Sequence, residues 1–348
     1  MVNRKFDCAA MLYRAERWGR SWFKWTMIAL VGVLVCSCTR GTEESRDIEA
    51  TLDRMPGVHR VSTDFDRNFS TVVVLSADAS AEQAKAVIEV FRDKIAAAER
   101  LQRRRIDIEI RWGERQSSFK TGRDGLATAP DRAVQWHALS HAFPEDEVAW
   151  TYKWTSYCCD GFGPGDLVKD GYLGVGEISL KPLNADDFRL VSDTYRRLMR
   201  EFPELAGAQW EIGAWGRRSG FLRVDRYPTE VEFSVWQRLN EDQTPPHRVH
   251  MEIRPEESPY SLRIHVSEWL QSSKFDDAKL LAEKHLPIVA ELSPPAIRYL
   301  ASGREGLGSD DPDRGLRIIV GGCQYTDRPP SAAEQPLVDR YGKCLTRR

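Results

Sequence analysis

Hydrophobic and polar residues alternate along the chain with two periods. Apolar residues recur every three to four positions in some stretches, which predicts helices, and every second position in others, which predicts strands. In the first unit, residues 47–116, the predicted order is helix, strand, strand, helix, strand. The elements are a helix over 47–54, strands over 58–63 and 70–75, a helix with Ser80 and Gln83 in capping-box positions, and a strand over 106–110.

The same order of elements is predicted twice more, in units over residues 130–218 and 228–322. The second unit contains helix 131–143, strands 148–157 and 174–180, a further helix, and strand 209–215. The third unit contains helix 229–239, strands 249–254 and 261–267, helix 275–292, and strands 296–300 and 316–320. The tail, 323–348, is expected to be loop-like with a short helix.

This order predicts an α+β fold. We expect three tandem ferredoxin-like (split β-α-β) units with antiparallel sheets and helices on one face. Related sequences close the first two units, Trp-Gly-Glu-Arg at 112–115 and Trp-Gly-Arg-Arg at 215–218, which agrees with an internal duplication.

The N-terminus has the three parts of a secretory signal. Basic residues from Arg4 to Lys24 precede an uncharged apolar core over 26–35, and Val35-Cys36-Ser37-Cys38 follows. The last four residues resemble the lipobox of bacterial membrane lipoproteins. That resemblance implies cleavage before Cys38 and a palmitate-type lipid anchor on its thiol. It also implies a signal peptide over 1–37, a polar tether over 38–46, and a location on the extracytoplasmic face of the cell membrane.

An uncleaved transmembrane helix is the alternative to this lipid anchor. A bilayer-spanning helix needs about 20 apolar residues. The apolar core is about half that length, and any extension toward the N-terminus includes Lys24. We therefore favour lipidation over a membrane span.

The composition indicates a folded chain without a nucleic-acid partner. Hydrophobic residues make up 41% and charged residues 29%, and the formal net charge is −2. Nucleic-acid binding normally needs a basic excess. The expected partners are membrane lipid, through Cys38, and an envelope protein. No motif indicates a cofactor.

Four cysteines remain after the signal and Cys38 are set aside, namely Cys158, Cys159, Cys323 and Cys344. An even number in an oxidising compartment predicts disulfides, and four cysteines allow three pairings. We favour Cys323–Cys344. The neighbours Cys158 and Cys159 are then reduced or form a strained vicinal bond, and the alternative is that each bridges to a tail cysteine.

Two pairs of histidines are candidate metal ligands, and the spacing of the first pair can hold a metal. His137 and His141 share a helix face but lack the intervening glutamate of a zinc-protease motif. His247 and His250 flank the start of a strand and are expected to point in different directions. We interpret both pairs as structural.

Two further features are candidates for binding. Trp150, Tyr152 and Trp154 share one strand face, which we interpret as core. The 158–170 loop is too long for a hairpin turn, and long loops often bind ligands or partners. Its candidate ligand or partner residues are Asp160, Gly161, Gly163, Gly165 and Asp166.

The chain has no nucleophile motif and no nucleotide-binding motif. The sequence therefore predicts a non-enzymatic envelope lipoprotein with a binding or scaffolding surface. The alternatives are an envelope hydrolase with a dispersed acid–base site and a lipoprotein that binds a metal or a small ligand.

Overall fold

The structure is a computed structural model, and part of the chain is described in it. The described residues are 43–65, 68–113, 116–153, 155–156, 170–171, 174–182, 187–213, 220–254, 263–292, 296–303, 315–323 and 329–342.

Seven helices and fourteen strands form the described part of the chain. The helices are α1 (43–53), α2 (Ala81–Ala97), α3 (Ala129–Ala142), α4 (Phe188–Glu201), α5 (Glu230–Glu241), α6 (Phe275–Val289) and α7 (Gln335–Tyr341). The strands are β1 (Val58–Phe65), β2 (Phe69–Leu75), β3 (Ile106–Trp112), β4 (Ser117–Gly122), β5 (Glu147–Tyr152), β6 (Thr155–Ser156), β7 (Asp170–Gly171), β8 (Glu177–Lys181), β9 (Gln209–Gly213), β10 (Phe221–Val224), β11 (His247–Ile253), β12 (Ile264–Leu270), β13 (Ile297–Ser302) and β14 (Gly315–Val320).

Twelve of these strands form one mixed sheet whose order follows the sequence, β1-β2-β3-β4-β5-β8-β9-β10-β11-β12-β13-β14. Antiparallel hairpins alternate with parallel pairs, and a helix links the two strands of each parallel pair, as α2 links β2 to β3. The short strands β6 and β7 pair separately, between β5 and β8.

The helices cover one face of this sheet. On that face Phe69 of β2 stacks on Phe91 of α2, and Phe119 of β4 packs against Trp136 of α3. Strand registers place both phenylalanines on the same face, through Phe69↔Ile106 and Ile110↔Phe119. Crossovers of one hand along a sheet that grows in one direction put all helices on one side. The core therefore lies in a single layer between the helices and the sheet.

The prediction of a fold with both helices and strands is confirmed, but tandem ferredoxin-like units are not. In a split β-α-β unit another strand lies between the two strands that a helix connects. Here the connected strands are direct neighbours, as Thr71↔Ile108 shows for β2 and β3. The sheet is also mixed rather than antiparallel, and it continues through all three predicted units.

The first predicted unit agrees well with the observed elements. Ser80 caps α2 in a capping box with Gln83. Gly57 of the predicted helix breaker has φ +80°, a left-handed conformation that favours glycine. Strands β4 and β10, which complete the hairpins after β3 and β9, were not predicted from the sequence.

The C-terminal helix protects the free edge of the sheet at β14. The carboxylate of Glu334 accepts hydrogen bonds from the backbone N–H of Arg317 in β14 and from that of Ser331, both at 2.8 Å. Glu334 is 1% exposed. Edge strands offer unpaired backbone groups to other chains, and a covering element removes that risk.

Candidate functional site

Several predicted site residues lie outside the described residues. They are Cys38, Cys158, Cys159, Cys344, Trp154 and the candidate loop residues Asp160, Gly161, Gly163, Gly165 and Asp166. The short strands β6 and β7 precede and follow residues 157–169, which lie outside the described residues. Cys323 is described; it is exposed and lies three residues after β14, and its pairing stays a prediction.

His137 and His141 lie in α3 beside Trp112 of β3. The Nε2 atom of His137 is 2.8 Å from the carbonyl oxygen of Ala79, and the Trp112 ring is 4.6 Å from its ring. Burial lowers the pKa of His137, against the opposing effect of the Ala79 hydrogen bond. In the described part of the chain neither histidine belongs to a group of three metal-binding side chains.

The aromatic residues of β5 belong to the core. Trp150 and Tyr152 are 1% and 2% exposed, which confirms the interpretation made for these two positions. The Trp150 indole N–H donates to the Val175 carbonyl at 2.8 Å, and the Tyr152 hydroxyl lies 2.6 Å from Thr128 Oγ1. Both side chains therefore stabilise the packing of the sheet and are not available to a ligand.

The sheet face opposite the helices, which we call the open face, is polar and mostly half-buried. Strand registers place one residue of each successive strand in a central row across it. From β3 to β13 the row comprises Arg111, Ser118, Ala149, Ser179, Glu211, Arg223, Glu252, His265 and Arg298.

Arg223 is the centre of an ion-pair network on the open face. Its guanidinium lies 2.9 Å from Glu177, 3.7 Å from Glu252 and 3.8 Å from Glu211. Arg254 lies 2.8 Å from Glu252 and adds a second guanidinium. This network links four neighbouring strands, β8 to β11, and gives the open face closely spaced charges of both signs.

A second polar cluster, the His–Glu–His cluster, lies on the opposite side of the sheet, inside the core. It comprises His247 at the start of β11, Glu268 of β12 and His285 of α6, with Tyr299 of β13 beside them. The side chains of His247, Glu268 and His285 are 0%, 0% and 1% exposed. This cluster lies on the helix-covered face of the sheet. His247 and Glu268 are on the same face of their strands as Val249 and Met251, which are fully buried.

Glu268 is the centre of the His–Glu–His cluster. Its Oε1 atom lies 2.6 Å from His285 Nδ1 and 3.8 Å from His247 Nε2, and its Oε2 atom accepts the Tyr299 hydroxyl hydrogen bond. The His247 Nδ1 and Nε2 atoms lie 2.8 Å and 3.0 Å from the carbonyl oxygens of Pro245 and Leu239. A buried carboxylate is tolerated only with such partners.

Burial and nearby charge shift the pKa values around this cluster. Burial, together with the neighbouring Glu268 carboxylate, raises the pKa of Tyr299 well above its usual value, so the phenol stays protonated. Asp242 lies at the outer end of the cluster, and burial opposes its ionisation. The Thr244 N–H, Lys284 and His285 outweigh that effect and lower the pKa of Asp242.

The sequence contains a signal for this cluster that the predictions above do not include. Glu268 occupies the apolar phase of β12, among Ile264, Val266 and Leu270. His285 lies in the apolar stripe of α6. Polar residues in core positions need hydrogen-bond partners. Two such residues on neighbouring elements therefore indicate a buried polar cluster. The prediction that His247 and His250 point in different directions is confirmed, since the β10–β11–β12 registers place them on opposite faces.

A shallow cavity of about 370 Å³ lies between the end of α3 and the start of α4. Its lining includes Phe143, Glu145, Asp193 and Arg197. The Arg197 guanidinium stacks over the Phe143 ring at 4.4 Å and pairs with Glu201 at 3.0 Å. Ion pairs of exposed side chains of this kind are common on protein surfaces and do not by themselves indicate chemistry.

Within the described residues, no helix combines the length and the apolar character that crossing a bilayer requires.

Comparison with known proteins gives no relative from which a function can be transferred. No family model, no curated protein and no solved structure matches the chain.

Proposed function

We propose that this protein is a lipid-anchored extracytoplasmic lipoprotein that binds an envelope protein partner through the open face of its sheet. The anchor is the Cys38 lipobox of the sequence. The observation that carries the binding proposal is the one-sided cover of the sheet. In the described part of the chain the strand registers place the helix contacts on one face and leave a row on the other that is polar except for Ala149.

The size of the open face supports a macromolecular partner. Twelve strands at about 4.8 Å spacing extend over about 53 Å, which exceeds the width that a small ligand needs. A specific protein interface buries about 800 Å² on each partner, and a sheet of this width offers such an area.

The charges of the open face favour a protein over a nucleic acid. Arg111, Glu109 and Lys120 lie on neighbouring strands, with Arg111 paired to Glu109 at 2.6 Å. The Arg223 network contains three carboxylates around one guanidinium. Nucleic-acid surfaces are basic throughout, whereas charges of both signs set the register of a protein interface.

Crosslinking from native membranes tests this proposal. The anchored protein with a C-terminal tag is compared with the double variant Ala149→Arg/Ser179→Arg, which adds two long side chains at paired positions of the open face. We expect the wild type to capture one stoichiometric envelope protein and the double variant to lose at least nine tenths of it. The reason is that the added side chains prevent close approach of a partner to the sheet.

Ala96→Arg is the matched control, because Ala96 is exposed at the end of α2, on the helix side of the molecule. This variant should capture the partner as the wild type does. Equal capture by the double variant, or equal loss in the control, would show that the open face is not the binding surface.

A further inference from the structure

The His–Glu–His cluster has the ligand types of a transition-metal site. Two imidazoles and one carboxylate are the ligand set that zinc sites commonly use. One candidate ligand atom from each of His247, Glu268 and His285 lies within 4.8 Å of the others. We propose that these three side chains bind one Zn²⁺ ion in the core, between α6 and strands β11 and β12.

The separations of the ligand atoms suit one shared ion. Ligand atoms about 2.0–2.2 Å from zinc in a tetrahedral arrangement lie roughly 3.3 Å from one another. His247 Nε2 is 3.8 Å from Glu268 Oε1, and His285 Nδ1 is 2.6 Å from the same oxygen. Binding requires the second pair to separate by less than about 1 Å, which a small side-chain rotation provides.

The atom of each ligand that faces away from the site has its own polar neighbour. His247 Nδ1 lies 2.8 Å from the Pro245 carbonyl oxygen, and Glu268 Oε2 accepts the Tyr299 hydroxyl. His285 Nε2 lies 3.9 Å from Asp242 Oδ2. Metal-binding histidines almost always direct the second ring nitrogen at a carbonyl or carboxylate, and metal-binding carboxylates are themselves hydrogen-bonded.

The hydrogen bonds of His285 are incomplete without a cation. When its Nδ1–H donates to Glu268, the Nε2 atom is an acceptor, and this buried atom has no hydrogen-bond partner among the described residues. If zinc occupies the Nδ1 lone pair, the ring proton lies on Nε2 and faces the Asp242 carboxylate. Metal binding therefore replaces a buried lone pair that faces a carboxylate 3.9 Å away with an N–H group that faces it, which is electrostatically more favourable.

His247 has a related mismatch. Both of its ring nitrogens face carbonyl oxygens, those of Pro245 and Leu239, whereas a neutral imidazole has only one N–H group. Zinc at Nε2 leaves Nδ1–H to donate to Pro245. The Leu239 oxygen, 3.0 Å from Nε2, then lies at a suitable separation for a fourth ligand.

The ligand set favours zinc over calcium or magnesium, and the burial favours a structural role. Imidazole nitrogens suit zinc, whereas calcium and magnesium prefer oxygen ligands. All three side chains are at most 1% exposed, which closes the site to substrates. The ion would join α6 to strands β11 and β12 and stabilise this part of the fold on binding.

The test measures zinc on the full-length chain in detergent. Purified protein is given one equivalent of Zn²⁺, dialysed against metal-free buffer and analysed by inductively coupled plasma mass spectrometry. We expect one Zn²⁺ per wild-type chain. Glu268→Gln should bind Zn²⁺ at least 100-fold more weakly in competition with a chelating dye. Tyr299→Phe should bind 10- to 100-fold more weakly, since it removes only the outer hydrogen bond.

His265→Gln is the matched control, because His265 lies on the same strand as Glu268 but on the open face. Its affinity should stay within three-fold of the wild type. If Glu268→Gln does not fold, two measurements on the wild type still test the proposal. They are its zinc content and a rise in melting temperature with Zn²⁺ that EDTA reverses. Fewer than 0.1 Zn²⁺ per wild-type chain, or no zinc-dependent rise, would overturn the proposal.

Zinc binding and partner binding can be tested independently, so either can be disproved without the other. The Ala149→Arg/Ser179→Arg variant, altered only on the open face, should lose its partner and keep one Zn²⁺ per chain.

Discussion

At the scale of single residues, polar groups in core positions are the most informative feature of this chain. Burying the Glu268 carboxylate without partners would cost several kcal/mol. Each of its two oxygens has a hydrogen-bond partner, His285 for Oε1 and Tyr299 for Oε2. Arg226 and Glu232 form a comparable pair at the start of α5. Glu232 accepts two hydrogen bonds from Arg226, at 2.7 Å and 2.9 Å, and closes a capping box with Thr229. Such pairs set how stability depends on pH.

Glu232 should make the protein less stable in acid. Burial opposes its ionisation, but Arg226 and Thr229 outweigh burial and lower the pKa of Glu232 below its reference value of 4.5. A carboxyl with a lowered folded-state pKa stabilises the fold above the unfolded pKa and loses that contribution as pH falls through the folded pKa. Glu232→Gln should therefore cost about 1 kcal/mol at pH 7 and progressively less below pH ~4.5.

Chemical denaturation of the wild type and Glu232→Gln between pH 3 and pH 7 measures this difference. Glu230→Gln serves as the control, because Glu230 is exposed in the same first turn of α5. A Glu232→Gln deficit that stays constant across this range would contradict the ion-pair explanation.

At the scale of elements, the repeated step of the fold is a hairpin followed by a helical crossover. Each step adds two strands to the sheet and one helix to its cover, so the chain can extend without rearranging earlier strands. The sheet ends at β14, and an exposed edge strand can pair with strands of other chains. At β14 the buried carboxylate of Glu334 binds the Arg317 N–H and holds α7 against the edge.

Glu334→Ala should destabilise the C-terminal edge. Two backbone N–H groups, those of Arg317 and Ser331, lose a charged acceptor at 2.8 Å. We expect the free energy of unfolding to fall by about 3 kcal/mol and hydrogen exchange to accelerate in β14. Urea denaturation and exchange mass spectrometry measure the two effects.

Asp339→Ala is the control for that experiment, because Asp339 is exposed on α7. It should change the free energy of unfolding by less than about 0.5 kcal/mol. Unchanged exchange in β14 of Glu334→Ala would indicate that α7 does not protect the edge.

At the scale of the whole molecule, the two faces of the sheet carry different groups of residues. The helix-covered face carries the core and the His–Glu–His cluster, and the open face carries the Arg223 network. Our proposal places this two-sided body at the outer surface of a membrane through Cys38. The structure corrects the tether predicted over 38–46, because α1 already includes residues 43–46. A flexible tether would be confined to the residues between Cys38 and α1.

Cys38→Ala should prevent lipid anchoring of the protein. Without its thiol the chain cannot accept diacylglycerol, so we expect an unprocessed precursor or release into the soluble fraction. Membrane fractionation and intact-mass measurement distinguish these outcomes, with Cys36→Ala as the control that keeps the lipidated position. A normally processed, membrane-retained Cys38→Ala protein would exclude lipidation at this residue.

The periodicity of apolar residues located most helices and strands, because it reflects which side of each element is buried. The α2 helix, with its Ser80 cap and its buried face at Val87 and Phe91, was predicted correctly. Strand β4 was missed, because Ser117 to Gly122 has only one large apolar residue, Phe119. Its strand conformation depends on pairing with β3 and β5.

The His–Glu–His cluster was harder to predict than the elements that form it. His247 and His285 are far apart in sequence, and nothing local links them. The position of Glu268 in the apolar phase of β12 was readable, but its partners depend on which strands are neighbours. Strand order is a non-local property, so the site could not be assembled from spacing alone.

The sequence by itself determined the periodic helices and strands, the helix caps and the expectation of a lipid anchor at Cys38. These depend on the side chains of neighbouring residues. The tertiary structure alone decided between interleaved ferredoxin-like units and one sheet in sequential order. Both topologies have the same order of elements and differ only in which strands pair. That pairing also brings His247, Glu268 and His285 together, and among the described elements it leaves one face of the sheet without helices.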